Sequence, residues 1–537
     1  MELYFLIMAP IFASLLIYLL PERVAFYLNA LVHAAMFSVS VYLFRCVRFS
    51  QEVIVTRTGA DQFLNMTLYC DLTTSVFLLL VTFLFFCVFV YSYKKSWANR
   101  LYSFLFAVLE GLILLFFLSR DLFNVYVAVE VATIVCTLLI TFKRESRSIY
   151  DGLIYLLVNI AAMLFFLLGV GILYRQFGVL DMSVIKAQMA GVSDASMLLP
   201  FSLIMTGACL KCALFPFHFW LPYAHGTPGA PTAVSAILSG LYVKGGVYLM
   251  LRMQDMFSPA IGANELFLWM GIFTAIAGIV MAVCQKDVKL ILAYHTVSQM
   301  GLIVAGLNMG NAYSASGAML HIFNHAMFKT LLFLTSGVLI DMYKTRNVHN
   351  IRGLMSRSPL LGFAVIAGIL GITGAPLFNG SISKYLIQSG GETLVIEVLL
   401  LIINFGTALS FVKFGKMLSG TPKEGHSPNV HKLLPTSGAV ITVLAIMCLV
   451  TGIFAQPVIF LLFGQSIAID LTSYIVKGLV WLATMYAAYI FYQKVVAKIP
   501  RIKEGVSFHV GFNSVCMWLV SGFASIVAFT YLLTSAF

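Results

Sequence analysis

Long apolar runs separated by short polar segments recur along almost the whole chain. A helix of about 20 apolar residues is long enough to cross the hydrocarbon layer of a bilayer. Runs of that kind begin near Leu3, Ala25, Thr73, Leu101, Leu122, Tyr150, Leu198, Thr232, Glu265, Val288, Ser314, Leu360, Thr393, Gly438, Leu471 and Gly511. The pattern predicts an all-α polytopic membrane protein with about 14 to 16 spanning helices.

Two of these runs are interrupted. In TGACLKCALFPFHFWLP, Pro216 follows Lys211 by five residues; in GILGITGAPLFNGSISKYLIQ, glycines and Pro376 precede Lys384. Proline removes a backbone donor, and a broken helix at membrane depth is tolerated where the freed groups line protein or a wet cavity. The interruptions fall in the seventh and twelfth runs, each beside a lysine, which is the arrangement an inverted-repeat transporter predicts. Repeats of five helices are expected, within segments 99–255 and 264–418. Residues 1–98 would then be N-terminal scaffold, and residues 436–537 a C-terminal scaffold or docking extension.

Composition agrees with the membrane reading, since 61% of residues are hydrophobic and only 10% charged. The net charge of +12 is explained by orientation, because 21 of the 33 lysines and arginines fall in loops on one side. Among them are Lys94, Lys143, Lys289, Lys344, Lys413, Lys423, Lys432, Arg501 and Lys503. That side is the cytoplasmic face, so an even helix number predicts a multi-pass plasma-membrane protein with both termini outside. Nucleic acid is not an expected partner, and Met1–Leu20 reads as the first span rather than a cleavable signal. Cys209 and Cys212 flank Lys211 with no second pair at metal-site spacing, and no haem, dinucleotide or phosphate-loop signature occurs. The chain is expected to hold no metal or cofactor, and to perform no redox or hydrolytic chemistry itself.

What remains is a set of ionisable residues inside apolar helices, where they are costly and therefore point to function. Glu130 lies near the middle of the fifth helix, with Lys211 as its natural counter-charge, and Lys244 lies in the eighth. In HIFNHAMFKTLLFL, His321, His325 and Lys329 recur every four residues and so share a helix face, with neighbours about 6 Å apart. Histidine takes and returns a proton near neutrality, which suits such a row to relaying protons. Lys384 follows the second interruption. Glu110 and His295 read equally as structural groups or as members of the path, with His218 and His225 as further candidates. Lys477, near the start of its span, reads as a snorkelling structural residue.

KCALFPFHFWLPYAHGTPGAPTAVSAILSGLYVKGGVY, QKDVKLILAYHTVSQMG, HIFNHAMFKTLLFL and APLFNGSISK resemble, in order and spacing, the antiporter-like subunits of respiratory complex I, membrane-bound hydrogenases and Mrp cation/proton antiporters. The resemblance runs from about Glu110 to Lys416. It implies a fourteen-helix core of two inverted five-helix repeats, each with one broken helix, and a midplane chain of buried charges. It matches Glu130, Lys211, Lys244, His321, His325, Lys329 and Lys384 to the family's pathway positions. Tyr223 stands where many members have an aspartate, and no carboxylate occupies the middle of the sixth helix. The link Ile499–Val506 leaves no room for a long lateral helix.

The expected function is proton translocation within a multi-subunit complex, either redox-driven or of the Na+/H+ antiporter type. Its expected partners are other membrane subunits, lipid, protons and, in the second case, Na+. A proton would leave Lys211 as its ion pair with Glu130 opens, because a nearby carboxylate favours the charged form of a lysine and burial the neutral form. A stand-alone transporter of a small solute is the alternative.

Overall fold

In the computed structural model, the described residues are 2–58, 66–421, 433–467, 469–500, 502, 505–506 and 511–535. Lys423, Lys432, Arg501 and Lys503, counted above among the basic loops, lie outside them. Seventeen helices carry the architecture and are numbered here in chain order. They are α1 (Glu2–Leu19), α2 (Glu22–Ser50), α3 (Leu72–Ser92), α4 (Arg100–Leu118), α5 (Leu122–Ile140), α6 (Ser146–Phe177), α7 (Asp194–Lys211), α8 (Thr232–Phe257) and α9 (Asn264–Val283). They continue as α10 (Val288–Leu307), α11 (Ala312–Tyr343), α12 (Pro359–Thr373), α13 (Asn379–Ser389), α14 (Leu394–Gly415), α15 (Pro435–Ile453), α16 (Leu471–Lys494) and α17 (Phe512–Ser535). Among the described residues, 13 helices are long and apolar enough to cross a membrane. Each of the sixteen predicted starts falls on or beside one of the seventeen helices.

Helix starts follow local chemistry. The side chains of Asp71, Asn99, Asp121, Asp287, Asn311, Thr393 and Asp470 each accept a backbone N–H in the first turn of the helix they precede, satisfying donors that no intrahelical partner can reach. Basic residues serve the opposite ends. Arg48 donates to the carbonyls of Phe460 and Leu461, at the end of a short helix. Lys413, expected in a loop, is instead buried in the last turn of α14, where it donates to Ala282, Val283 and Gln285 carbonyls at the end of α9. A cation there complements both the orphan carbonyls and the helix dipole. Lys289 is likewise buried and donates to the Ala230 carbonyl.

The loop after α2 folds as an antiparallel hairpin, Ile54–Thr58 with Met66–Cys70. Helix α11 is the central pillar, packed against α10, α12, α13, α15 and the first turns of α8. Both interrupted helices are present. The first ends at Lys211 and resumes as a short helix at Trp220–Gly226; the second breaks between Thr373 and Asn379. The two breaks are five spans apart, an odd number of crossings, so the broken helices run in opposite directions through the layer.

A glycine on a neighbouring helix lets the backbone approach each break. A Cβ on Gly246 of α8 would lie 2.3 Å from the Lys211 carbonyl carbon, and one on Gly452 of α15 would lie 2.3 Å from the Leu377 oxygen. Only the absence of a side chain permits such contact. The two terminal helices cover the same breaks from outside. From α16, Tyr474 Oη bonds Ser381 Oγ at 2.9 Å and accepts from the Leu377 N–H at 3.4 Å. From α17, Gly522 packs on Pro216 and Phe217, and Trp518 stacks 6.2 Å from His218. Between these helices, Val506 is pinned to the end of α9 through the Cys284 carbonyl and the Gln285 amide.

Candidate functional site

The first break exposes backbone, and its groups are matched locally. Trp220 Nε1 donates to the Leu210 carbonyl at 2.7 Å, and the Phe215 N–H donates to Thr274 Oγ1 of α9 at 2.9 Å. This leaves Lys211, the last residue of α7, projecting between α5 and α6. Its Nζ donates to Thr133 Oγ1 and Asn159 Oδ1, both at 2.9 Å, and lies 5.6 Å from the Tyr242 ring centroid. Thr133 is itself fixed by Tyr242 Oη at 3.0 Å. The expected ion pair is not closed. Glu130, one turn before Thr133 on α5, forms no ion pair among the described residues, and its Oε1 is buried without a partner. Neutral oxygens have taken the place next to the ammonium.

Lys244 is placed by a different device. Helix α8 widens to a π turn at Leu238–Tyr242, which releases a carbonyl from the regular ladder. That carbonyl, on Ser239, accepts the Lys244 ammonium in a short hydrogen bond. The Ser239 hydroxyl bonds Thr296 Oγ1 of α10 at 2.8 Å, tying the turn to the next helix.

On α11 the expected stripe forms. His321 and His325 are fully buried with ring centroids 6.2 Å apart, and Lys329 one turn further donates to the Leu292 carbonyl of α10 at 2.7 Å. His321 bridges two helices, through Ser383 Oγ of α13 at 2.8 Å and Gln299 Oε1 of α10 at 3.0 Å. Neither nitrogen of His325 has a partner among the described residues. Lys384, next to Ser383, donates to Asn404 Oδ1 of α14 at 3.2 Å. Polar groups thus run from the half-buried Glu130 on α5, through buried side chains of α7, α8, α11 and α13, to the half-buried Asn404 on α14.

Residues 119–410 match the family described as NADH:quinone oxidoreductase/Mrp antiporter, TM. The chain belongs to that family. Glu130, Lys211, Lys244, His321, His325, Lys329 and Lys384, the expected pathway residues, all fall inside the matched region, whereas Glu110 and Lys477 fall outside it. Among relatives, the chain is 32% identical to an NADH-quinone oxidoreductase subunit of Desulforudis audaxviator, over 64% of this chain and 72% of that one. It is 27% identical to a Na(+)/H(+) antiporter subunit of Bacillus subtilis, over 69% and 75%. To a longer Na(+)/H(+) antiporter subunit, from Alkalihalophilus pseudofirmus, it is 32% identical over 66% of this chain, spanning 47% of that protein. The fold is shared with a chain of the Mrp complex from Dietzia sp., with TM-score 0.78 and 19% identity over 91% of this chain and 98% of that one. It is also shared with a chain of the archaeal membrane-bound sulfane sulfur reductase, with TM-score 0.80 and 23% identity over 90% and 99%.

The remaining candidates separate within this family frame. His225, in the short helix after the first break, lies 5.6 Å from Phe333 of α11, close to the row. His218 stacks between Phe215 and Trp518 beneath α17, away from it. His295 turns towards α14, its ring 4.6 Å from Phe411, with both nitrogens unpartnered. Glu110 is buried against His33 rather than joined to Glu130.

Sequence reasoning missed the surroundings of Lys384. A cavity of about 320 Å³ opens beside it between α13, α14 and α16, and its lining includes Glu397, Asn404, Tyr474 and Lys477. Lys477 Nζ donates to Ser389 Oγ, at the end of α13, at 3.1 Å and lies 4.7 Å from the Tyr385 ring centroid. The one available signal was the pair of charged residues Glu397 and Lys477, each near the start of its span. Among the described residues, no group of three His, Cys, Asp or Glu side chains is arranged to hold a metal.

Proposed function

We propose that this chain moves protons within a multi-subunit complex of the plasma membrane, along the row Glu130, Lys211, Lys244, His325, His321 and Lys384. Lys329, fixed to α10, sets the charge beside His325. The observation that carries this reading is the hold on Lys211: an ammonium bonded by two neutral oxygens, with a carboxylate one turn away on the same helix as one of them. Such a lysine has two stations. Next to Glu130 it retains its proton; at Thr133 and Asn159 it can release it towards Lys244. Buried polar atoms without protein partners, on His325, Thr330 and Ser298, line the next stretch. Water is the partner such groups take, and it completes a proton path.

Lys384 is the outlet, through the cavity that holds Glu397 and Lys477 near the side opposite the basic loops. Segments 99–255 and 264–418 act as the two inverted five-helix repeats, and both termini lie on the outer face. The neighbouring subunits supply the energy input, as redox change or as a Na+ gradient.

The test is proton flux in vesicles containing the whole complex, comparing wild type with Lys211→Ala and Glu130→Ala at matched assembly. Flux should fall at least tenfold in both. Unchanged flux in both variants would make the row structural.

A further inference from the structure

Helix α2, expected to be scaffold, and helix α4, expected to open the first repeat, hold a buried acid–base pair between them. His33 Nδ1 of α2 lies 2.6 Å from Glu110 Oε2 of α4, and both side chains have zero exposure. Among the described residues it is the one ion pair fully buried on both sides. So short a contact requires a hydrogen between the two atoms, which fixes one proton in the pair. With that proton alone the pair carries a net charge of minus one. A second proton makes it neutral, and the two atoms able to take it, His33 Nε2 and Glu110 Oε1, are buried without a partner.

Apolar side chains close the pair in from α1, α3 and α4. Around the imidazole stand Phe85 and Phe89 of α3 and Phe106 of α4, at ring distances of 6.4, 4.9 and 5.8 Å. From α1, Ile7 and Ile11 close over Gly111. No lysine or arginine among the described residues pairs with Glu110. Towards the basic face the wall changes character. One turn before His33 on the same face of α2 lies Asn29, fully buried, with neither amide atom bonded. One turn further, Ala25 and Phe26 line a cavity of about 680 Å³ whose mouth carries Arg23, Lys94 and Arg100. Successive turns bring these groups about 6 Å apart, a spacing that water spans between buried polar atoms.

Glu110 lies about 12 Å along α4 from its outer end, and Glu130 about 12 Å along α5 from its outer start. The two helices pack side by side. The pair therefore sits at the depth of the row, on residues outside the matched family region.

We propose that His33 and Glu110 form a second proton-holding site, loaded from the basic face by way of Asn29. Each cycle binds one proton at His33 Nε2 or Glu110 Oε1 and releases it again, with no other bond made or broken. An imidazole favours a proton over a hard cation at this position. The proposal rests on the reading above only for the proton's destination.

The test uses the assembled complex in vesicles, with infrared difference spectra recorded as the pH is stepped on the basic face, in H2O and in D2O. A carboxyl or imidazole signal sensitive to deuterium is expected in wild type. It should vanish in both Glu110→Gln and His33→Gln, each of which keeps a hydrogen-bonding group. In Asn29→Leu it should remain but rise at least tenfold more slowly, and in Lys211→Ala it should persist. Wild-type spectra unaltered by Glu110→Gln, a signal that follows only the outer pH, or one elicited by Na+ at constant pH would each overturn the proposal. If Lys211→Ala spares flux while the signal is present, the row fails and the pair stands. If Lys211→Ala abolishes flux and no signal exists, the reverse holds.

Discussion

Lys211 Nζ donates to Asn159 Oδ1 across the α6–α7 contact at 2.9 Å, in the position where an ion pair with Glu130 was expected. A hydrogen bond to a charged group contributes about 1.5–3 kcal/mol, which corresponds to a ten- to hundredfold bias between two positions of the lysine. Asn159→Leu removes that bias and should shift the ammonium towards Glu130. We expect proton flux in reconstituted complex to fall by about tenfold, with assembly on native gels unchanged. Asn159→Asp should also slow flux, because a second carboxylate holds the ammonium charged.

Gly246 allows α8 to touch the broken end of α7. Its replacement by alanine places a methyl 2.3 to 2.5 Å from Lys211 and Cys212 backbone atoms, none of which can rotate away. Overpacking of this kind costs about 1–3 kcal/mol. Gly246→Ala should therefore lower the melting temperature of the detergent-solubilised complex and reduce flux together. Gly262, whose added Cβ meets nothing within 4 Å, is the matched control and should change neither.

On the proposed path, the cavity beside Lys384 would make Lys477 part of the outlet. Lys477→Ala removes the bond to Ser389 and the contact with Tyr385. Stopped-flow measurement of proton release at the outer face should show slower release, while loading from the basic face is unaltered. Equal release rates in the variant and wild type would return Lys477 to a structural role.

Asp71 offers a pH dependence outside the spans. Burial alone would raise its carboxyl, but the hydrogen bond and charge of Arg252, with the Thr74 N–H, outweigh it and hold the group below the usual carboxylate range. A group whose folded value is lowered contributes stability that is fully present above the unfolded value and lost as pH falls through the folded one. The bond between the start of α3 and the end of α8 should therefore weaken only below about pH 4. Hydrogen exchange at Thr74 and Ser75 should accelerate in that range for wild type, and already be fast at neutral pH in Asp71→Ala, which has no oxygen to accept the Thr74 N–H.

The spans, both interruptions and the α11 stripe were legible in the sequence because each is written in local terms. Apolar length, a proline after a lysine and a four-residue recurrence need no knowledge of distant contacts. The partners of those charges were not legible. Thr133 and Asn159 are ordinary polar residues on membrane helices, and many such residues merely bond their own preceding turn, as Thr137 bonds the Thr133 carbonyl. The π turn that releases the Ser239 carbonyl leaves no mark on a continuous apolar run. His33 and Glu110 are 77 positions apart, so their meeting depends on how α2 and α4 pack. Lys413 was misplaced because a basic residue at a helix end looks the same whether it faces water or a neighbour's carbonyls.

Tyr474 and Gly522, on consecutive helices, rest on the two broken segments, and the stretch between those helices is clamped at Val506. The tail therefore behaves as a yoke. A load on α16 or α17 is delivered to one interruption directly, and the clamp on α9 limits how much of it reaches the other. A neighbouring subunit gripping either helix would hold a handle on one of the two breaks, at a distance from Lys211 and the α11 row.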